Sequence, residues 1–226
     1  MEEEKIFTEV ELKEMGIRTR DLIDKAIDEG DLIKAKRLGH RMHSEFLAMH
    51  DFFRDWITGT LSYIYESHGD QALDDALRKG LSPRFKEMVE AYGQADFRRK
   101  VEMFAMGLRG HLQPVEIEED DEKVCLTMHP CGSGERLIQE GAYKAPKNFS
   151  IVKQLHPMTY SRPNCPVYCT HEPMLEILPI EWLGYPVWVA YPPDDKWGGC
   201  RFCIYKDPKA IPEEVYERVG KKKPKA

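Results

Sequence analysis

All six cysteines of the 226-residue chain lie at or after Cys125, and they fall in three short groups. The first group is Cys125-Leu-Thr-Met-His129-Pro-Cys131-Gly-Ser-Gly134. The second is Cys165-Pro-Val-Tyr-Cys169-Thr-His171-Glu172, and the third is Gly198-Gly-Cys200-Arg-Phe-Cys203. Thiolate and imidazole are the donors that zinc prefers, four in a structural tetrahedron or three beside an open position in a catalytic one. The best four here are Cys131, Cys169, His171 and Cys200, with His129, Cys165 and Cys203 in reserve. Zinc is the expected metal and iron the other candidate, although the spacing matches neither common ferredoxin pattern. Plainer readings stand beside this one. Free cysteines are often small buried hydrophobes, and a close pair can serve as a redox couple.

Each group carries a local expectation. Strand alternation through the first group puts Cys125, Thr127, His129 and Cys131 on one face, with Val124, Leu126 and Met128 turned to the core. In the second, Thr170 is the candidate N-cap of a helix over residues 173–183, so that Cys169 lies where a helix dipole stabilises a thiolate. In the third, Cys200-x-x-Cys203 chelates one metal if the backbone turns as a knuckle. As a straight strand it sends its sulfurs to opposite faces and leaves only Cys200 for the site.

Other groups could act beside these donors. Glu172 is placed to serve as a general base on a metal-bound water, or else as an ordinary acid in a helix's first turn. Arg136 and Arg162 could receive an anionic substrate, since guanidinium matches carboxylate geometry. His156 and Tyr160 could line a pocket. A second cluster, His40, His43 and His50, follows one helix without the Glu-x-x-His pattern of a di-iron bundle, and reads as satisfied or surface histidines.

The elements that must position these groups divide into two kinds. Residues 1–110 read as helical: a capping box at Thr8 and Glu11, a helix ended by Gly30, and a long helix from Asp31 to Gly69. Beyond it come a shorter helix over 71–79 and another opened by Ser82-Pro83 that carries residues through Leu108. Residues 111–226 change pattern. Val115–Ile117 and Val124–Met128 predict a hairpin about an acidic turn, residues 186–190 and 201–205 predict two further strands, and residues 211–219 a closing helix. The expectation is an α+β fold: a helical half against an antiparallel sheet of about four strands joined by loops rich in proline and glycine, as two regions or one continuous domain.

Composition narrows the partners. A net charge of -6 argues against broad nucleic-acid binding, which neutralises phosphates with Lys and Arg. The basic run Lys221–Lys225 reads as a solvated tail. No apolar stretch approaches a membrane span, and the acidic opening Met1–Lys5 lacks the pattern of a secretory signal, so the cytoplasm is the expected compartment. There, six cysteines favour metal or thiol chemistry over a disulfide framework.

The stretch Trp197-Gly-Gly-Cys200-Arg-Phe-Cys-Ile-Tyr205 resembles the closing segment of two families. They are the L-2-amino-thiazoline-4-carboxylate hydrolase-like family and the vinyl-reductase-type small-ligand-binding domains. Cys169, Glu172, Gly184, Cys200, Phe202 and Ile204 fit that resemblance in order and rough spacing, whereas the His129–Gly134 segment and Cys169-x-His171 belong to neither pattern. The resemblance implies a helical segment joined to a short sheet, with late cysteines serving a metal or small-ligand site. Together these readings point to a metal-dependent hydrolase or lyase acting on a small polar or sulfur-containing molecule. The alternative is a ligand-sensing or structural zinc module whose helical half forms a homodimer.

Overall fold

The computed structural model describes residues 6–194 and 196–225. The acidic opening Met1–Lys5, on which the expectation about export rests, lies outside the described residues. Helices α1 (Glu9–Met15), α2 (Thr19–Asp28), α3 (Leu32–Gln94) and α4 (Phe97–Arg109) precede a four-stranded antiparallel sheet in the order β1-β2-β6-β5. Its strands are β1 (Val115–Glu119), β2 (Lys123–Met128), β5 (Val189–Tyr191) and β6 (Arg201–Tyr205). Between β2 and β5 come α5 (Gly134–Gln139), a two-stranded ribbon of β3 (Ile151–Val152) and β4 (Cys165–Pro166), and α6 (His171–Leu183). Helix α7 (Glu213–Glu217) follows the sheet. The fold is α+β. The chain divides into two compact units, Met1–Phe53 and Arg54–Ala226.

In the first unit the capping box forms as its residues dictate. Glu11 N–H donates to Thr8 Oγ1, and Thr8 N–H donates to the Glu11 carboxylate at 2.8 Å. Leu22, Ala26 and Leu38 make its small core. The helical punctuation differs from expectation beyond that point. Helix α3 is interrupted at Gly69, whose φ of 80° only glycine adopts readily, but it then runs through Ser82-Pro83 without a new cap. The segment expected to continue to Leu108 stops at Gln94. Asp96 starts α4 by accepting the Arg99 N–H at 2.7 Å, a cap that ends one helix and opens the next.

In the second unit the sheet register decides the fate of two cysteines. Cys125 on β2 lies directly opposite Cys203 on β6, and the two form a disulfide. Both are almost wholly buried, shielded from soluble thiols. This corrects the expectation that Cys125 shares a donor face with Cys131 and that Cys203 is a reserve ligand. Closing a loop over 78 positions stabilises by about 4.5 kcal/mol on the chain-entropy estimate. Pairs Val124↔Ile204 and Leu126↔Phe202 alternate with the cysteine pair. Trp188 sits among Phe85, Tyr92 and Phe104, with Phe104 4.6 Å from it and also edge-on to Phe202. These rings join the second limb of α3, α4 and the sheet in one core.

The edge strand β5 is covered from below. Its Ala190 N–H donates to Glu176 Oε1 at 2.7 Å, and Ala190 O accepts from Arg218 Nη2 at 2.8 Å. Glu176 is fully buried on α6, and also receives Tyr160 Oη at 3.0 Å and Arg218 Nη2 on both oxygens. Both oxygens of this carboxylate thus accept hydrogen bonds, which is what a buried acid requires.

Candidate functional site

The three loops that carry the cysteine groups converge on a cavity of about 50 Å³. Cys131, Cys169, Cys200, His171 and Glu172 all line it, together with His111 and an apolar wall that includes Met128, Trp197 and Phe202. That volume holds an ion with a few waters and little more. No Lys or Arg is among its lining residues.

Cys131 arrives just past the end of β2. Its N–H donates to Glu135 Oε2 at 2.8 Å, and the backbone of Ser133, Glu135 and Gly134 works against the burial that raises its thiol pKa. Gly132 is needed here, because a Cβ would stand 2.5 Å from that of His111. At Gly134 a Cβ would stand 2.9 Å from Cys169 Sγ. Cys169 itself comes from the 3-10 turn Val167–Thr170. Cys200 is delivered by Gly198 and Gly199, both with positive φ, and a Cβ on Gly198 would strike Glu135. Glu135 is therefore packed against the Cys200 loop and bonded to the Cys131 loop.

Arg162 and Arg136 do not line the cavity. Arg162 donates to the carbonyls of Pro193, Asp194 and Lys196 and lies 4.7 Å over the Trp197 ring. It holds the loop that leads to Cys200. Arg136 donates to Gly132 O at 3.2 Å and faces Glu140. The guanidinium groups expected to receive an anionic substrate are thus placed as struts of the two loops. His129 is exposed, since β2 ends at Met128 and the alternation does not carry on to Cys131. Cys165 is fully buried behind the site, its thiol against Pro166 O. His156 accepts the Met158 N–H in a 3-10 turn. Within the first unit His50 is bonded to Asp51.

His171 and Glu172 form a pair at the start of α6. The His171 Nδ1 is 2.5 Å from Tyr168 O, so this nitrogen carries a proton, because a carbonyl only accepts. The other nitrogen lies 3.0 Å from Glu172 Oε1. Burial works against an imidazolium here, but the Glu172 charge and both hydrogen bonds outweigh it, and the His171 pKa is raised. Glu172 Oε2 is buried without a hydrogen-bond partner. Thr170 does not cap α6: its hydroxyl donates to Val167 O, and its backbone is already helical.

The thiols are protonated in this environment. Burial pushes Cys131, Cys169 and Cys200 up, and Glu172 raises all three further. Cys169 and Cys200 are each also raised by neighbouring thiols of the group. The dipole expected to favour a Cys169 thiolate is overridden by desolvation. The cavity therefore gathers groups that would become anions, with no Lys or Arg among its lining residues and with His171 already paired to Glu172. As placed, no set of three His, Cys, Asp or Glu side chains among the described residues is drawn close enough to hold a metal ion.

His111, at the end of α4, was invisible to motif reading because it has no neighbouring donor in sequence. The only signal was its position just past Gly110, where the helical pattern stops. Comparison with known proteins gives no family model, curated protein or solved structure that matches this chain.

Proposed function

We propose that Cys131, Cys169 and Cys200 are the thiolate ligands of one metal ion, zinc or iron, in a hydrolase or lyase acting on a small polar or sulfur-containing molecule. The observation that carries this reading is the convergence of three free thiols and an unpartnered Glu172 oxygen on one cavity. A cation there would turn mutually unfavourable acids into ligands, the compensation that buried charges require. A bound zinc supplies a Lewis acid and lowers the pKa of water.

The chain's own residues would do the rest. His171 has both ring nitrogens engaged, which takes it out of the expected ligand set, and it orients Glu172 instead. Glu172, which lines the cavity and whose Oε2 has no hydrogen-bond partner, would take a proton from water or substrate. The apolar wall excludes bulk water. Arg162 and Glu135 keep the Cys200 and Cys131 loops in place, and are positioning residues.

A second reading is favoured by the cavity's small volume. If Glu172 itself completes the metal's coordination, the site is closed and structural. Elemental mass spectrometry of reduced, untagged protein tests the shared premise, with about one metal per chain expected. Binding of a small chelating anion to the metal-loaded protein separates the two, since a closed site binds none.

A further inference from the structure

Two pockets of the second unit share no lining residue with the thiol cavity. The smaller, of about 80 Å³, lies where the end of α3 meets the start of α4 and the end of β6, with Tyr92, Phe97, Val187 and Ile204 among its walls. The larger, of about 330 Å³, is walled by Tyr216 on α7 and by Pro224. Leu183, Tyr185 and Pro208 line both pockets and so form a common wall, and Leu183 keeps 42% of its surface exposed. The basic tail, expected to be solvated, is laid against the fold here. Lys221 pairs with Glu181 at 2.6 Å, and Lys223 donates to Lys209 O at 2.7 Å.

The charge of this surface runs against that of the chain. The sequence carries a net charge of -6, yet neither pocket has an Asp or Glu among its lining residues, and Lys100, Lys206, Lys209 and Lys223 line them. Lys206 is paired with Glu119 at 2.7 Å. The side chains of Lys100 and Lys209 meet no acid among the described residues. We propose that the two pockets form a docking groove for a linear acidic segment of a partner protein. Its apolar side chains fill the pockets, and its carboxylates meet Lys100 and Lys209. Aromatic and proline walls give such anchors a place to be buried, and the lysines select an acidic chain while repelling a basic one. Two pockets across a shared wall suit two anchors on one extended chain, whereas a compact small molecule buries itself in a single cavity. Nucleic acid is the less suitable polyanion, because the groove has no arginine and the overall charge repels phosphates. The proposal does not depend on a metal at the thiol cavity.

Gly93 separates burial from charge. It is helical, lines the smaller pocket, and a Cβ built there meets no atom within 4 Å, so Gly93→Leu adds bulk at that pocket without a backbone clash. Lys100→Glu combined with Lys209→Glu reverses the charge and leaves the walls as they are. The probe is a random dodecapeptide library on phage, selected on the immobilised full chain, with the enriched peptides then synthesised and titrated by fluorescence anisotropy. Enriched peptides should carry Asp or Glu around Leu, Phe or Trp, and their affinity should fall as salt is raised. Gly93→Leu should weaken them about tenfold with the salt dependence kept. The double charge reversal should weaken them at least as much and remove the salt dependence, with the circular dichroism of both variants unchanged. A library that enriches nothing, enriched peptides without an acidic bias, or peptides that either folded variant binds as tightly as the wild type would overturn the proposal. So would tighter binding of an oligothymidylate than of the selected peptides.

Discussion

Gly134 shows how tightly one position controls the site. A methyl group there would sit 2.9 Å from Cys169 Sγ, closer than a sulfur tolerates, so the thiol rather than the α5 backbone would move. Gly134→Ala should therefore weaken metal binding by tenfold or more while leaving urea stability within about 1 kcal/mol. Competition with a chromophoric chelator measures the affinity, and unchanged affinity would mean that Cys169 is not a ligand. Much of this was readable from residue types: Cys131, Cys169, His171, Glu172 and Cys200 do meet at one cavity. What could not be read was how each is used. His171 bonds a carbonyl three residues back and a carboxylate one residue on, and spacing alone does not say that both nitrogens are taken. Arg162 looks like any surface arginine in sequence, because the carbonyls it holds lie some thirty positions away.

Among the elements, the edge strand β5 depends on a single buried acid. Glu176 satisfies the outward N–H of Ala190 and binds Arg218, which also takes the Ala190 carbonyl. Burial raises the Glu176 pKa despite the Arg218 charge. Glu176→Ala leaves the half-buried guanidinium unpaired beside Tyr160 and Tyr191 and strips the strand edge of its partner. A loss of about 3–5 kcal/mol is expected in urea denaturation, and a loss under 1 kcal/mol would show that β5 holds without this anchor. The hairpin of β1 and β2 is legible, because alternating apolar residues and the acidic turn before Lys123 mark it, whereas β5 starts three residues later than its pattern predicts and the two-residue strands β3 and β4 are too short to leave one. The cross-strand disulfide is not legible, since it depends on the register of β2 against β6, two strands far apart in sequence. Helix boundaries failed for a related reason. Ser82-Pro83 has the pattern of a helix start, but with the chain already helical before it, the missing N–H of Pro83 merely removes one bond.

At the scale of the whole molecule, two compact units are joined within α3, and each has its own core. In the first, Met42, Phe46 and Met49 recur at helical spacing, and about half of each remains exposed. A stripe of that kind on a helix is the usual seam for a second helix, and the homodimer expected from sequence would bury it. Sedimentation velocity should give a dimer at micromolar concentration, and Met42→Lys with Phe46→Glu should give a monomer. A wild-type monomer would remove the dimer from the account. Among the described residues no helix is long and apolar enough to cross a membrane. In the second unit the sheet's loops, α5 and the start of α6 bring the three thiols to one cavity.

The most direct test of the central claim is the metal content of freshly purified, untagged protein, set beside that of Cys169→Ala. The account predicts about one zinc or iron per chain in the wild type and loss of that metal in the variant. Reduced, folded protein with no metal, and none taken up from added zinc, would contradict it and leave the cavity as a cluster of buried thiols.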